Sequence, residues 1–533
     1  MTETCPPAPL QPPENRGPAT HRLLRNSGFS LGQQIAAMAL AIVLVPYMLR
    51  IMGPELYGLW LILQLFNLLG LAGLAELGFQ GALVRYLTRF FFAQDRASFR
   101  AVLAGGFALF LAIGAIMGVM VILFAQFALV QIFPIPPAHQ AQMQTALTVI
   151  GVGLLAGFPG LVVKAYFAAR QELAITKIWE FADRVIFALG VFIVLQMSTS
   201  LVALILFEQA VAVVLLVVFA LVAKRAGGGW FGILPRLGAG GHFAGLVRLS
   251  GSVFAANFAS QGFNRLPELF VGVVLGPVTL TFYQIAARIP RVIKALQGSL
   301  NAAVMPHIAG IDAAQRDDGG AARARFALVG LRVNYIIAVP LLLGAALYAP
   351  VLLSVWVGPE YRDLASLLAG FALFQGLFLA SNYCGATLTQ SSHFTLYVRV
   401  NLALVLGFGL VLYLGLERFG LPLVAWALAV SGGLQFICVL VVFRAAHGIA
   451  PRSTLAAAIW GPVVGSACVG LACLAPSAFW LAQERWGIGA IAFVFGGACY
   501  ALAIGLFILR PDEQEHLRRA LGRLRRSAPL VPD

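Results

Sequence analysis

The sequence predicts an all-α integral membrane protein of about 14 transmembrane helices, arranged as two halves of like orientation. Three observations predict it. The 533 residues are 60% hydrophobic and only 11% charged, against roughly 25% charged in ordinary soluble chains, and the mean hydropathy is +0.89. Apolar runs of about 20 residues, enough to cross a hydrocarbon core about 30 Å thick, recur from Gly28 to the neighbourhood of Leu509. A short pattern also repeats: "RNSG" ends at Gly28 and "GP" begins at Gly53, while "RLSG" ends at Gly251 and "GP" begins at Gly276. The offset is 223 residues in both cases, as expected of parallel repeats related by an axis along the membrane normal.

The elements follow in order. Residues 1–27 are polar and Pro-rich and read as a disordered cytoplasmic tail; they lack the charged start, apolar core and cleavage site of a secretory signal. Spans are expected at 28–49 and 57–80, divided by Arg50 and Gly53-Pro54, and at 101–125 after a basic joint. The joint "QFALVQIFPIPPAHQAQMQ" precedes 144–168; a basic joint precedes 178–197, and "QMSTS" separates it from 200–222. Residues 224–247 form a cytoplasmic linker. Spans 249–274 and 278–305 then flank Gly276-Pro277, and 328–355, 364–389, 394–415, 421–443, 455–476 and 488–509 complete the set. Residues 510–533 are a basic cytoplasmic tail suited to an anionic lipid surface or to fixing topology.

Lysines and arginines test this count, since a wrong number of spans would scramble the positive-inside bias. With the N-terminus inside, the inner joints and tails hold 25 of the 36 cations, and the outer joints hold four: Arg50, Arg362, Arg418 and Arg485. Both termini are therefore expected in the cytoplasm. The net charge of +15 reads as topology, without nucleic-acid binding, because no aromatic-rich basic module accompanies it.

Several chemistries are excluded. The four lysines follow Val, Thr, Ala and Ile, so none completes a phosphate-cradling Gly-Lys-Ser/Thr loop. The histidines form no His-Glu-x-x-His pair and the six cysteines have no zinc spacing. No catalytic residue, metal or cofactor is called for, and the short outer joints leave no room for a soluble catalytic domain. Transport is the expected class.

"VPYMLRIMGPELYGLW", Val45 to Trp60, followed by "LAELGFQGALVRYLTR" from Leu74, resembles the opening of the lipid-linked oligosaccharide flippases of polysaccharide biosynthesis. That family lies within the multidrug, oligosaccharidyl-lipid and polysaccharide exporter superfamily. "VLGPVTLTFYQIAARI" from Val274 resembles the equivalent stretch of the second half; where the family usually has Asp, this chain has Glu76. The resemblance implies two six-helix lobes, here 28–223 and 248–446, with a peripheral helix pair at 447–509. It also implies a central cavity lined largely by spans one, two, seven and eight, and alternating access in a bacterial inner membrane. The implied partners are an undecaprenyl-diphosphate-linked glycan and the lipid bilayer, with polysaccharide polymerase and export machinery as candidate protein partners. Peptidoglycan-precursor flipping, organic-cation antiport and glycan polymerase or ligase activity are the alternatives.

The candidate site rests on an oddity in the eighth span, where Arg288, Arg291 and Lys294 occur at three-residue spacing. A rise of 1.5 Å per residue from Pro277 places Arg288 about 16 Å deep and Lys294 about 26 Å deep. At 100° per residue the three share a face about 120° wide. Facing lipid there would cost an Arg from about 2.5 to more than 10 kcal/mol, so the face should meet a hydrated cavity or an anionic partner. A diphosphate is a suitable visitor, because guanidinium forks match phosphate oxygens. Substrate binding is accordingly assigned to Arg288, Arg291, Lys294 and Arg265. The competing assignment is structural: Arg265 with Glu268, and Arg288 with Glu208, as fixed ion pairs. Glu208, Glu268 and Glu76 are the candidates for ion coupling or charge pairing. Sugar contacts are expected from scattered residues such as Gln64, Asn67, Gln261 and Asn264.

Overall fold

The computed structural model describes residues 19–68, 70, 79–226, 231, 261–314, 319–388, 393–447, 456–482 and 486–503. Helices make up the first half: α1 (Ala19–Leu65), α2 (Phe79–Phe92), α3 (Arg96–Phe127), the short α4 (Leu129–Ile132), α5 (Pro137–Ala169), α6 (Leu173–Met197) and α7 (Leu201–Ala226). The described part of α8 (residues 261–270) ends in one π turn, Val271–Leu275. There follow α9 (Gly276–Ala314), α10 (Gly319–Leu347), α11 (Ala349–Trp356), a 3-10 turn at Pro359–Leu364, α12 (Ala365–Leu388), α13 (Phe394–His447), α14 (Ala456–Ala482) and α15 (Trp486–Ala503). No strand occurs among the described residues.

By length and apolarity alone, seven described helices can each cross a membrane, or eight if the pair Asn334–Leu347 and Ala349–Trp356, bent by 71°, is one span. Three of the seven contain backbone breaks, at Gly53 (φ 70°), Gly276 (φ 84°) and Gly420 (φ 62°). Treating the breaks as span boundaries and counting the shorter helices makes the architecture consistent with about fourteen spans. Gly53 and Gly276 combine a positive φ with an extended ψ, a conformation almost reserved to glycine that would cost an L-residue about 1–3 kcal/mol. Pro54 and Pro277 then start the next helix at the position where a missing N–H costs nothing.

The repeat extends well beyond the Gly-Pro steps. Arg96 and Gly319, where α3 and α10 begin, are 223 residues apart, and so are Met197, which ends α6, and the break at Gly420. The correspondence is not complete. In the second half α9 runs unbroken from Gly276 to Ala314, whereas in the first half the matching helix stops at Leu65, residues 66–68 and 70 form turns, and α2 covers Phe79–Phe92. The expected single span over 57–80 is thus corrected to two pieces. The Asn67 side chain contributes to the break, since its Oδ1 accepts from the Leu68 N–H at 2.8 Å and offers the backbone an alternative to the helix. Arg85 and Arg89 lie on α2, not in a joint.

The halves meet principally where α1 packs on α9. Thr281 Oγ1 donates to the Pro54 carbonyl at 2.7 Å. Reciprocally, a Cβ built on Gly58 would stand 2.0 Å from the Pro277 carbonyl oxygen. Thr281 and Gly58 are repeat equivalents, as are Pro277 and Pro54, so the seam is self-complementary in the manner of a two-fold contact. α14 packs on α10 and α11, and α15 packs on α14. Outward faces carry exposed Leu, Ile, Val and Phe along most helices, as lipid contact requires.

Candidate functional site

A cavity of about 520 Å³ opens between the halves. Its first-half wall comes from α1, α6 and α7, through Tyr57, Trp60, Gln64, Asp183, Arg184 and Glu208; its second-half wall comes from α8 and α9, through Arg265, Glu268, Gln284, Arg288 and Arg291. The lining therefore includes α6 and α7 beyond the four spans expected.

On the second wall one carboxylate organises two cations. Glu268, 4% exposed, accepts from Arg265 Nη1 at 3.2 Å and from Arg291 Nη1 at 2.8 Å. Arg291 is held further: Nη1 donates to Gln284 Oε1 at 2.7 Å, Nη2 donates to the Tyr283 hydroxyl at 2.9 Å, and the guanidinium lies 5.3 Å from the Tyr283 ring centre. A half-buried charge so fully partnered is positioned rather than free.

Arg288 differs. It lines the cavity and has no ion pair or hydrogen bond among the described residues. The triad of Arg265, Glu268 and Arg291 keeps one net positive charge beside it, so this wall attracts anions. Lys294 leaves the group: its Nζ donates to Asn264 Oδ1 at 3.2 Å and sits 4.7 Å from the Phe378 ring centre, and it does not line this cavity. The three cations thus share a helix face without sharing an environment, because the successive 60° steps carry Lys294 around to the second half's own core.

Across the cavity, Glu208 is not the partner of Arg288 that one sequence reading allows. Gln64 Nε2 donates to its Oε2 at 2.8 Å and Asn67 Nδ2 donates to its Oε1 at 2.8 Å. Glu180 pairs with Lys177 at 2.8 Å, while Asp183 and Arg184 of α6 reach the cavity. Gln261 is exposed, and Glu76 lies outside the described residues. Sequence reasoning missed Tyr57, Trp60 and Gln284. The available signal was helical spacing: 57, 60 and 64 share a face of α1, and Gln284 lies one turn before Arg288. No group of three or more His, Cys, Asp or Glu able to hold a metal occurs among the described residues.

Comparison with known proteins agrees with this architecture. The chain superposes on a solved structure of the lipid II flippase MurJ in an inward closed conformation with a TM-score of 0.67, at 11% identity, over 89% of this chain and 98% of that one. An inward-facing multidrug resistance transporter of the MATE family, of the MOP superfamily, gives 0.62 at 13% identity over 79% and 98%. An outward-facing multidrug resistance transporter of the MATE family gives 0.58 at 14% identity over 81% and 96%. These likenesses establish the fold. No curated protein matches the chain in sequence. Residues 47–366, more than half the chain, match the family described as polysaccharide biosynthesis protein, and the chain belongs to that family.

Proposed function

We propose that this protein is a flippase that carries a polyprenyl-diphosphate-linked oligosaccharide from the cytoplasmic to the periplasmic leaflet for cell-surface polysaccharide synthesis, by alternating access. It sits in a bacterial inner membrane with both termini in the cytoplasm, as the arginine and lysine distribution supports. The observation that carries the reading is Arg288: a guanidinium with no ion pair among the described residues, in a cavity between two lobes, next to an Arg265–Glu268–Arg291 cluster of net positive charge. A diphosphate supplies the missing anion, and a guanidinium in a site shielded from bulk water binds it more strongly than one at a surface. The prenyl tail stays in lipid while the glycan occupies the cavity. Family membership supports the pathway, and the absence of a nucleotide-binding loop from the sequence supports a carrier without its own ATPase.

Cells lacking the protein test the reading. The lipid-linked unit should accumulate facing the cytoplasm, out of reach of an impermeant sugar-oxidising reagent. Units exposed on the outside would instead point to a polymerase. A second reading, export of organic cations, is favoured by Asp183 and Glu208 on the first-half wall; it requires cation efflux that is lost with the protein while glycan synthesis continues.

A further inference from the structure

The halves also touch away from the Thr281 and Gly58 seam. The indole N–H of Trp356, at the end of α11, donates to the backbone carbonyl of Ile42 on α1 at 2.7 Å. That acceptor is chemically special. In an α-helix Ile42 would receive its bond from the N–H four residues on, and the residue there is Pro46, which has none. A carbonyl left open in hydrocarbon is costly, because no water is present to satisfy it. Trp356 therefore supplies from the second half the donor that Pro46 removes from the first.

The donor's own element is held from the other side. α11 is bent by 71° from the Asn334–Leu347 part of α10, and at the bend the Tyr348 hydroxyl donates to the Leu474 carbonyl of α14 at 2.9 Å, in a buried bond. Tyr348 packs there with Leu474 and Ala478. The segment from Tyr348 to Trp356 thus reaches from α14 to the first half, with a side-chain hydrogen bond to backbone at each end. At the Trp356 end the contact lies on an outward flank: Ile42, Val43 and Val355 are exposed, whereas Leu44, Val45 and Met48 of α1 line the cavity. Ile42 precedes Gly53 by eleven residues and Arg288 follows Pro277 by eleven. At 1.5 Å per residue both stand about 16 Å from the Gly-Pro end, so the bond is level with the cavity.

The opposite flank is built differently. The 223-residue offset carries Trp356 to Phe133 and Pro46 to Leu269. Phe133 also leans across the divide, since a Cβ built on Gly272 would stand 3.2 Å from its ring, but it has no N–H to donate. Leu269 keeps the N–H that Pro46 lacks. The repeat therefore provides the donor and the freed carbonyl on one flank only.

We propose that the segment Tyr348–Trp356 is a latch across one lateral flank of the cavity, braced on α14 and fastened to α1 by the hydrogen bond from Trp356 to Ile42. It keeps that flank closed to lipid, and the flank opens when Trp356 leaves the carbonyl. The closed state is favoured because both groups are satisfied there, whereas opening exposes an indole N–H and a carbonyl without its helical donor to acyl chains. The use of the latch rests on the flippase reading, in which a prenyl tail that stays in lipid while its head group occupies the cavity needs a sideways opening. The latch itself does not rest on it.

The test measures opening alone, on the full-length protein in lipid nanodiscs without substrate. Nitroxide labels are introduced through Val43→Cys and Val355→Cys, exposed positions beside the bond, in a background with the six native cysteines replaced. Their separation is read from electron dipolar coupling. Two substitutions undo the pairing from opposite sides. Trp356→Phe keeps a ring and removes the donor, while Pro46→Ala gives Ile42 a partner inside its own helix, so that the carbonyl no longer depends on Trp356. Each is expected to raise the population of separated labels about fivefold, the weight of one net hydrogen bond, and the double variant should go no further than either alone. Pro46→Ala restores a helix hydrogen bond, so it serves as the readout if Trp356→Phe does not fold. An unchanged distribution in either folded single variant, or increases that multiply in the double variant, overturns the latch. Because no lipid-linked substrate takes part, failure here leaves the flippase reading intact, and failure of that reading in cells leaves this result standing.

Discussion

The hydroxyl of Thr281 donates a 2.7 Å hydrogen bond to the carbonyl of Pro54, and at the repeat-equivalent position Gly58 presses its bare Cα against Pro277. These paired contacts close the Gly53 and Gly276 end of the seam, which the proposed alternating-access carrier would have to open. Removing the hydroxyl with Thr281→Val should cost only about 1 kcal/mol. Gly58→Val leaves no room at all, because even its first carbon overlaps a backbone atom. We expect Gly58→Val to hold that end apart, so that Cys introduced at Leu61 in a cysteine-free background reacts with an impermeant maleimide from the periplasmic side. Equal labelling with and without Gly58→Val would show that the seam is not the barrier.

Glu268 and Arg288 should separate stability from function. Removing one member of a charge cluster built on the buried Glu268 leaves the others uncompensated, at a cost below the roughly 3–5 kcal/mol of a fully buried pair because both arginines are partly exposed. Arg291→Ala and Glu268→Ala are expected to lower the thermal unfolding midpoint markedly in detergent. Arg288→Ala, which breaks no ion pair, should melt close to wild type.

Lys294 shares the spacing of the arginines but contacts Asn264 and Phe378. Lys294→Met preserves the aliphatic stem and loses the ring contact, worth about 0.5–2 kcal/mol. Glycan synthesis in cells carrying it should continue near the wild-type level, and a loss as large as that of Arg288→Ala would return Lys294 to the site.

The buried amides of the second half offer a test of coupling. Gln435 Nε2 donates to Asn401 Oδ1, tying the two parts of α13 together, and Gln435 Oε1 has no partner among the described residues. Asn401→Leu strands a buried amide and should cost about 1–3 kcal/mol, whereas Asn401→Leu with Gln435→Leu should cost clearly less than the sum of the single changes. Additive effects in thermal unfolding would contradict the pairing.

Much of the fold was legible because membrane crossing imposes a length and a hydropathy that no soluble helix needs. Gly53-Pro54 and Gly276-Pro277 disclosed the repeat because positive-φ backbone and a helix start have few sequence solutions. The break after Leu65 was not legible, since the apolar run continues through it and only the local hydrogen bond of Asn67 competes with the helix. At the site, spacing placed Arg288 and Arg291 together and paired Arg265 with Glu268 along one helix turn. Spacing did not show that Glu268 also bridges to Arg291, or that Gln64 and Asn67 satisfy Glu208, because these contacts join helices far apart in the sequence.

The central claim is that Arg288 holds the diphosphate of the transported lipid. Its most direct test is translocation of a fluorescent prenyl-diphosphate oligosaccharide in reconstituted vesicles by wild type, Arg288→Ala and Arg288→Lys. The account predicts that wild type flips the lipid, that the folded Ala variant does not, and that Lys, which keeps the charge but loses the two-pronged fork, is intermediate. A folded Arg288→Ala variant that flips as fast as wild type would contradict it.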